Sequence, residues 1–178
     1  VSLGDVIAKI QASELQEQGV LANCNVNVIQ LQDYGDHGNY QQELKYLLTN
    51  PARLDYLSKL FGKISEAGNT LILVDRIGAG NELVSRLGDK AVFISGATKG
   101  DDRKEHYDEV ADATGKIIVA TYGVASVGIN IPRIFNLVLL EPGKSFVRVI
   151  QSIGRGIRRA EDKDFVQIWD ITSTCKFA

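Results

Sequence analysis

Short apolar runs that alternate with helical segments constrain the fold of this chain most strongly. Five such runs follow one another from residue 70 to residue 169, and each is only four or five residues long. A run without polar interruption, such as Leu71–Val74, is typical of a strand covered on both faces. Helical segments between consecutive strands predict right-handed crossovers, and therefore an α/β fold with a mostly parallel sheet flanked by helices. The predicted strands are Thr70–Val74, Ala91–Ile94, Ile117–Ala120, Leu137–Leu140 and Phe165–Trp169.

The segment before residue 70 carries a weaker pattern. Residues 1–20 have apolar side chains at loose helical spacing, which predicts helical turns, whereas the alternation over Asn25–Leu31 predicts a strand. Gln41–Leu48 is predicted to be a helix. Pro51 suits the first position of a further helix, because its fixed φ matches the helix and its missing N–H is not needed there. The apolar face expected for that helix comprises Leu54, Leu57, Leu60, Phe61 and Ile64.

A pair of glycines follows the first of the five apolar strands. Gly78-Ala79-Gly80 predicts a turn, after which Asn81 can cap a helix that runs through Leu87. A glycine-rich turn after an apolar strand also suggests a dinucleotide-binding enzyme. The third glycine at the required spacing is missing, however, and no acidic residue about 20 positions later fits the role of holding the ribose. This class of enzyme is therefore the weaker alternative.

Composition and charge exclude several classes of function. With a net charge of −2, the chain is not a generally basic nucleic-acid binder, so any such binding must use a local patch. It contains no apolar run of about 18 residues and no signal-peptide pattern, which predicts a cytoplasmic protein without a membrane partner. Cys24 and Cys175 are isolated and His37 lies in a Gly-rich turn, so no metal site is expected. A chain that begins with Val1 and lacks Met is expected to be a fragment or a processed piece.

Arginines and apolar residues separate onto opposite sides of a predicted helix that begins near Ser145. At about 100° per residue, the apolar side chains fall in one arc, which predicts a buried stripe. No acidic residue between Ser145 and Ala160 neutralises the opposite arc. Guanidinium groups stay charged and bind phosphate bidentately, so this face suits an anion, although a solvated basic face is the simpler alternative. The polar arc comprises Arg148, Gln151, Arg155, Arg158 and Arg159.

Polar loops follow three of the predicted strands at their carboxyl ends, where ligands gather in parallel sheets. Arg76 comes directly after the first strand. The loop Ser95–Gly100 offers hydroxyls, a lysine and backbone amides, and residues 121–132 offer hydroxyls followed by a glycine and a short amide. Polar loops are the default at such strand ends, so each loop alone is weak evidence for a site.

Taken together, these segments resemble the motifs of superfamily 2 helicases. The spacing Gln-x-x-Gly-Arg-x-x-Arg, from Gln151 to Arg158, is similar to the last conserved motif of that superfamily. From about Asn69 to its end, the chain resembles the second RecA-like domain, which has a P-loop NTPase-type fold. The other matching segments are Leu71–Arg76 for the fourth motif, Ala120-Thr121 with Gly128-Ile129-Asn130-Ile131-Pro132 for the fifth, and the Gly96 loop with Arg103 for the segment between them.

This resemblance implies a division of the chain and a role for each matching residue. Residues 1–68 are expected to be a lead-in segment, with an early strand and helices packed on the domain, and residues 69–178 the RecA-like helicase C-terminal domain. The last motif would contact ATP across a cleft, with Arg158 as the arginine finger. The implied site residues are Gln151, Arg155 and Arg158 for catalysis, Gly128 and Asn130 (where many relatives have Asp) near the nucleotide, and Arg76, Gly96, Thr98 and Thr121 on the nucleic-acid backbone.

The motifs that are missing are equally informative. No Gly-x-x-x-x-Gly-Lys-Ser/Thr sequence occurs, and no Asp-Glu-x-His or Asp-Glu-x-Asp box. In the superfamily the first RecA-like domain carries these motifs and holds most of the ATP and Mg²⁺, so this chain is expected to supply half of an ATPase site. The resemblance implies an ATP-dependent DNA helicase that remodels branched DNA and removes RNA from hybrids, in recombination and repair. A non-catalytic binding module with the same fold is the alternative.

Overall fold

The computed structural model describes residues 6–10, 24–31, 38–39, 42, 45–46, 50–127, 134–140 and 166–173. Within these residues, no helix combines the length and the apolar character needed to cross a membrane. A short 3₁₀ turn spans Gly88–Lys90. The strands are β1 (Val6–Ile10), β2 (Cys24–Leu31), β3 (Thr70–Val74), β4 (Ala91–Ile94), β5 (Ile117–Thr121), β6 (Asn136–Leu139) and β7 (Val166–Ser173), and the longer helices are α1 (Pro51–Glu66), α2 (Ile77–Leu87), α3 (Gly100–Ala111) and α4 (Tyr122–Val127).

The described strands form one seven-stranded sheet in the order β1-β2-β7-β6-β3-β5-β4. Every neighbouring pair is parallel except β1 and β2, which are antiparallel at the edge. All five residues of β3 are buried, as expected for a strand that is covered on both faces. The predicted mostly parallel α/β sheet and its five apolar strands are therefore confirmed, with β7 continuing to Ser173.

Helix α1 forms as the sequence predicts. Pro51 occupies its first turn, and the side chain of Asn50 caps it by accepting a hydrogen bond of 3.0 Å from the backbone N–H of Arg53. The apolar face packs into the core against the sheet, so the expected stripe is confirmed, with Leu60 only partly buried. Its buried apolar residues are Leu54, Leu57, Phe61 and Ile64.

The expected helical turns over residues 1–20 are wrong where the structure describes them. Val6–Ile10 is strand β1, which pairs with β2 from Val6↔Ile29 to Ile10↔Val26. A short apolar segment fits a helix or a strand equally well from its own pattern. The open edge of β2 decides between them, since it offers backbone partners that no local pattern reveals. In the predicted helix Gln41–Leu48, the described residues Gln42, Lys45 and Tyr46 are helical.

The predicted turn at Gly78-Ala79-Gly80 is also wrong. Helix α2 already begins at Ile77, its N-cap residue is Arg76, and Asn81 lies inside it. Gly80 is there for packing, because a Cβ at this position would lie 2.3 Å from Cε1 of Phe93 on β4. The close contact between helix and strand explains this glycine without a bound dinucleotide.

Adding a methyl group at Gly80 is expected to destabilise the domain. Gly80→Ala should lower the free energy of unfolding by about 1–3 kcal/mol, because Phe93 must move to admit the new Cβ. Urea unfolding followed by the fluorescence of Trp169, the single tryptophan of the chain, measures the change. Gly78→Ala is the matched control: no atom of the described residues lies within 4 Å of a Cβ there, so this variant should gain about 0.5–1 kcal/mol. Equal effects of the two substitutions would contradict the packing explanation.

Two buried asparagines connect the amino ends of the central strands. The Nδ2 of Asn69 donates to the carbonyls of Val110 and Ala113 at 2.8 and 2.9 Å, and its Oδ1 accepts from the N–H of Lys116 at 2.9 Å. Asn136 Nδ2 donates to two carbonyls beside α1, and its Oδ1 accepts from the indole N–H of Trp169 at 3.4 Å. These bonds join the end of α3 to the starts of β3 and β5, so the amino edge of the sheet is held as one unit.

Residues on both sides of residue 68 contribute to this sheet and its core. Strand β2 pairs along its whole length with β7, from Cys24↔Val166 to Leu31↔Ser173. Helix α1 packs into the same core cluster as β3 and β5. The division of the chain at residues 68 and 69 stays a prediction.

Candidate nucleic-acid and nucleotide site

The polar loops after β3, β5 and β4 lie side by side at one edge of the sheet. These strands are adjacent, with Val74 paired to Thr121 and Ile94 paired to Ala120. Since all three are parallel and end at nearly the same level, the residues that follow them lie at the same carboxyl edge. The structure thus brings together Arg76, Thr121 and the loop that contains Gly96 and Thr98.

The loop after β4 is a compact turn made by its own hydroxyl groups. Thr98 closes it twice: its N–H donates to the carbonyl of Ser95 and its Oγ1 accepts from the N–H of Ser95, both at 3.1 Å. The N–H of Ala97 donates to Oγ of Ser95 at 3.3 Å. Thr98 therefore uses an acceptor site of its hydroxyl inside the loop. Its O–H remains a donor for an external acceptor such as a phosphate oxygen.

Gly96 is exposed, and nothing in the described part of the chain explains why it is a glycine. A Cβ built at this position meets no atom of the described residues within 4 Å, and the φ of Gly96 is not positive. Neither packing nor backbone strain requires a residue without a side chain here. Close approach of an external group to the backbone would be one physical reason for glycine at this place.

Thr121 is the last residue of β5 and directly precedes α4. Its Oγ1 accepts from the N–H of Val124 at 3.3 Å, which is the N-cap arrangement for a helix that begins at Tyr122. Like Thr98, it keeps its O–H as a donor. Arg76 is exposed at the start of α2, where it makes no side-chain capping bond to that helix.

Arg103 contributes to this edge in a way that the sequence did not predict. Its Nη2 donates to the carbonyls of Ser95 at 3.1 Å and Gly96 at 3.2 Å. One turn further along α3, burial raises the pKa of the Tyr107 hydroxyl above its usual value, and the positive charge of Arg103 opposes that shift. The spacing of seven residues from Gly96 to Arg103, with a helix start between them, was the signal available in the sequence.

The residues expected to meet the nucleotide lie outside the described residues. These are Gly128, Asn130, Gln151, Arg155 and Arg158. Their roles stay predictions, because no distance within the described part of the chain concerns them. The described part contains no group of three His, Cys, Asp or Glu residues that could hold a metal ion.

Comparisons with known proteins support the motif assignment. The model of the helicase conserved C-terminal domain matches residues 52–160, which is more than half of the chain. The chain is 28% identical to the ATP-dependent DNA helicase UvsW of Enterobacteria phage T4, over 94% of this chain but only 36% of the phage protein. It therefore spans about a third of the length of this relative. The order of the motifs predicts a resemblance to UvsW, and this match confirms it.

Solved structures give the same result for the fold. The crystal structure of T4 UvsW superimposes with a TM-score of 0.72 and 27% identity, over 83% of this chain and 32% of that one. The C-terminal domain of the DEAD-box protein Dbp5 superimposes with a TM-score of 0.53 and 22% identity, over 68% of this chain and 70% of that one. The second likeness shows the fold alone, which is the RecA-like fold expected from the motifs. The chain belongs to the family of helicase conserved C-terminal domains.

Proposed function

We propose that this chain is the second motor domain of an ATP-dependent superfamily 2 DNA helicase or translocase. The observation that carries the proposal is the convergence of Arg76, Thr121 and the Gly96–Thr98 loop at one carboxyl edge. The match to the helicase C-terminal domain and the likeness to a protein named as an ATP-dependent DNA helicase support it.

The carboxyl edge has the chemistry of a site for a phosphate backbone. Two threonine O–H groups, an exposed glycine amide and a guanidinium are all donors, whereas phosphate oxygens are acceptors only. Contacts of this kind hold the strand in register and read no base sequence, so binding should depend little on sequence. The net charge of −2 agrees with this arrangement, since the affinity would come from a few placed donors and not from a general positive field.

We propose that the nucleotide is shared with a first RecA-like domain in the same full-length protein. The donor chemistry of this chain fits the triphosphate, since Arg155 and Arg158 suit phosphate oxygens and Gln151 can contact the γ-phosphate or the partner domain. Gly128 and Asn130 would lie near the nucleotide at the domain interface. The first domain would hold Mg²⁺, which neutralises charge on the phosphates. ATP binding would close the two domains and hydrolysis would open them, so that alternating grip moves the strand.

The proposed substrates are branched DNA and its single-stranded regions. Superfamily members that resemble this chain act on forks and junctions, by branch migration, and on RNA–DNA hybrids, which suggests a role in recombination and repair. The likeness to a phage helicase supports a proposed action in the cytoplasm of an infected host cell. The decisive test is ATP hydrolysis by the full-length protein with forked, single-stranded and duplex DNA as stimulators. Turnover should be highest with forks, and the 178-residue chain alone should hydrolyse no ATP. DNA binding without stimulated turnover would favour the non-catalytic module.

The salt dependence of DNA binding tests the direct contact assigned to Arg76. Arg76→Ala should make the slope of log K against log salt concentration shallower by about 0.7 for a single strand, because one phosphate counterion fewer is released. Fluorescence anisotropy of a labelled oligothymidylate at several KCl concentrations measures that slope. Arg86→Ala is the charge-matched control, since Arg86 binds Asp55 and Glu82 near the other end of α2. An unchanged slope in Arg76→Ala would remove this residue from the strand contacts.

A further inference from the structure

Arg103 fastens the turn after β4 to helix α3 through main-chain carbonyls. Its Nη2 donates to both Ser95 and Gly96. The Ser95 carbonyl also accepts from the N–H of Thr98, so both of its acceptor sites are used. The Nε of Arg103 is buried, and no described residue accepts a hydrogen bond from it. This guanidinium is thus partly removed from water and hydrogen-bonded to the loop. Its buried, unpaired Nε carries a desolvation cost that a fully exposed arginine would not have.

The position of the Ser95 carbonyl determines where the N–H of Gly96 points. The described residues contain no cis peptide bond. In a planar trans peptide, the C=O of Ser95 and the N–H of Gly96 point in opposite directions. Because the carbonyl faces Arg103, the N–H faces away from it. Among the described residues none accepts a hydrogen bond from this N–H, and Gly96 is exposed with open space around its Cα.

We propose that Arg103 is a positioning residue for the nucleic-acid strand: it holds the Ser95–Gly96 peptide so that the amide of Gly96 donates to a backbone phosphate. This inference rests on the proposed function, because it assigns a task within the same strand-binding edge. The absence of a side chain at Gly96 then has a reason, since a Cβ would stand where the phosphate approaches. Thr98 lies in the same turn, so its O–H would be placed by the same two bonds.

A positioning role and a direct phosphate contact make different predictions for charge. An arginine that neutralises a phosphate releases a counterion, so its loss changes the salt slope. An arginine that orients a neutral amide releases none. Lysine separates the two roles further, because it keeps the charge but its side chain is one atom shorter and its ammonium group lacks the fixed planar geometry that places Nη2 between the two carbonyls.

The test uses the full-length protein with Arg103→Ala and Arg103→Lys, and Arg86→Ala as the control that also loses one charge. Affinity for a labelled oligothymidylate is measured by anisotropy over a range of KCl concentrations. Both Arg103 variants should bind about tenfold more weakly, the equivalent of one lost hydrogen bond to a charged group, with the wild-type salt slope. The control should match wild type. Full binding by Arg103→Lys with a shallower slope in Arg103→Ala would overturn the proposal in favour of direct contact.

A second measurement reports the loop without any nucleic acid. Amide hydrogen exchange in the 178-residue chain should be about tenfold faster at Ala97 and Thr98 in Arg103→Ala, because the turn opens more often, and unchanged in Arg86→Ala. Unchanged exchange at these amides, or unchanged DNA affinity of both Arg103 variants, would refute the positioning role. If wild type itself binds no DNA, the proposed function fails, which is a different result from wild-type binding that does not depend on Arg103.

Discussion

Arg158→Ala is expected to lower kcat for DNA-stimulated ATP hydrolysis by about three to five orders of magnitude in the full-length protein. The reason is electrostatic: a guanidinium from the second domain stabilises negative charge that spreads onto the oxygens of the transferring phosphoryl group. In the proposed mechanism this charge is delivered across the domain cleft, so we expect the effect only when both domains are present. Steady-state turnover with saturating forked DNA measures it.

DNA affinity is the control, because it separates a loss of catalysis from a loss of DNA binding. Arg158→Ala should retain binding to the fork in anisotropy, because the strand contacts are assigned to other residues at the carboxyl edge. Arg158→Lys should not restore turnover, since an ammonium group lacks the bidentate geometry of the guanidinium. Arg86→Ala should hydrolyse ATP like wild type. Turnover that survives in Arg158→Ala would remove the arginine-finger role and leave the segment as a phosphate-binding or solvated basic face.

The second large effect is expected on stability, at Asn69. Its side chain is 1% exposed and makes three hydrogen bonds to the backbone, two to the end of α3 and one to the start of β5. Asn69→Ala leaves the carbonyls of Val110 and Ala113 and the N–H of Lys116 without these partners. Each such group costs about 1–3 kcal/mol when buried, and partial access of water lowers the sum, so a loss of about 2–4 kcal/mol is expected.

Urea unfolding followed by Trp169 fluorescence measures this loss, and Asn81→Ala provides the comparison. Asn81 is exposed on α2, so its replacement should change the free energy of unfolding by about 0.5 kcal/mol or less. A small effect at Asn69 would mean that water replaces its bonds readily. The three bonds would then be a consequence of the fold and not a cause of its stability.

The two buried asparagines also affect the alignment of the site at the opposite edge of the sheet. Asn69 and Asn136 hold the amino ends of β3, β5 and β6 in register. Strands that start together and have similar lengths also end together, which is why Val74 and Thr121 are level at the carboxyl edge. The alignment of the loops at the carboxyl edge thus depends on hydrogen bonds made at the other end of the same β-strands.

Local pattern in the sequence was sufficient for the elements of the central sheet. Uninterrupted apolar runs such as Ile117–Ala120 are satisfied by burial on both faces, so they predict strands of a covered sheet. Ala91–Ile94 has the same pattern but lies at the end of the described strand order, where three of its four residues are only partly buried. Helix α1 was equally readable, because Pro51 and the spacing of its leucines act within one helix. The family could be recognised for a similar reason: residues such as Gln151, Arg155 and Arg158 keep a fixed spacing along the chain, which requires no knowledge of contacts.

Tertiary structure decided the features that depend on residues far apart in the chain. Val6–Ile10 becomes a strand because β2 offers it an open edge, and residue 80 is a glycine because Phe93 occupies the space that a side chain would fill. The hydrogen bonds from Arg103 to two carbonyls likewise depend on how α3 follows the turn after β4. By itself, the sequence determined the order of the central strands and the residue types of the motifs, because composition and spacing are local. Only the tertiary structure decided which backbone groups those side chains bind, because hydrogen bonds and close contacts form between segments that the sequence keeps apart.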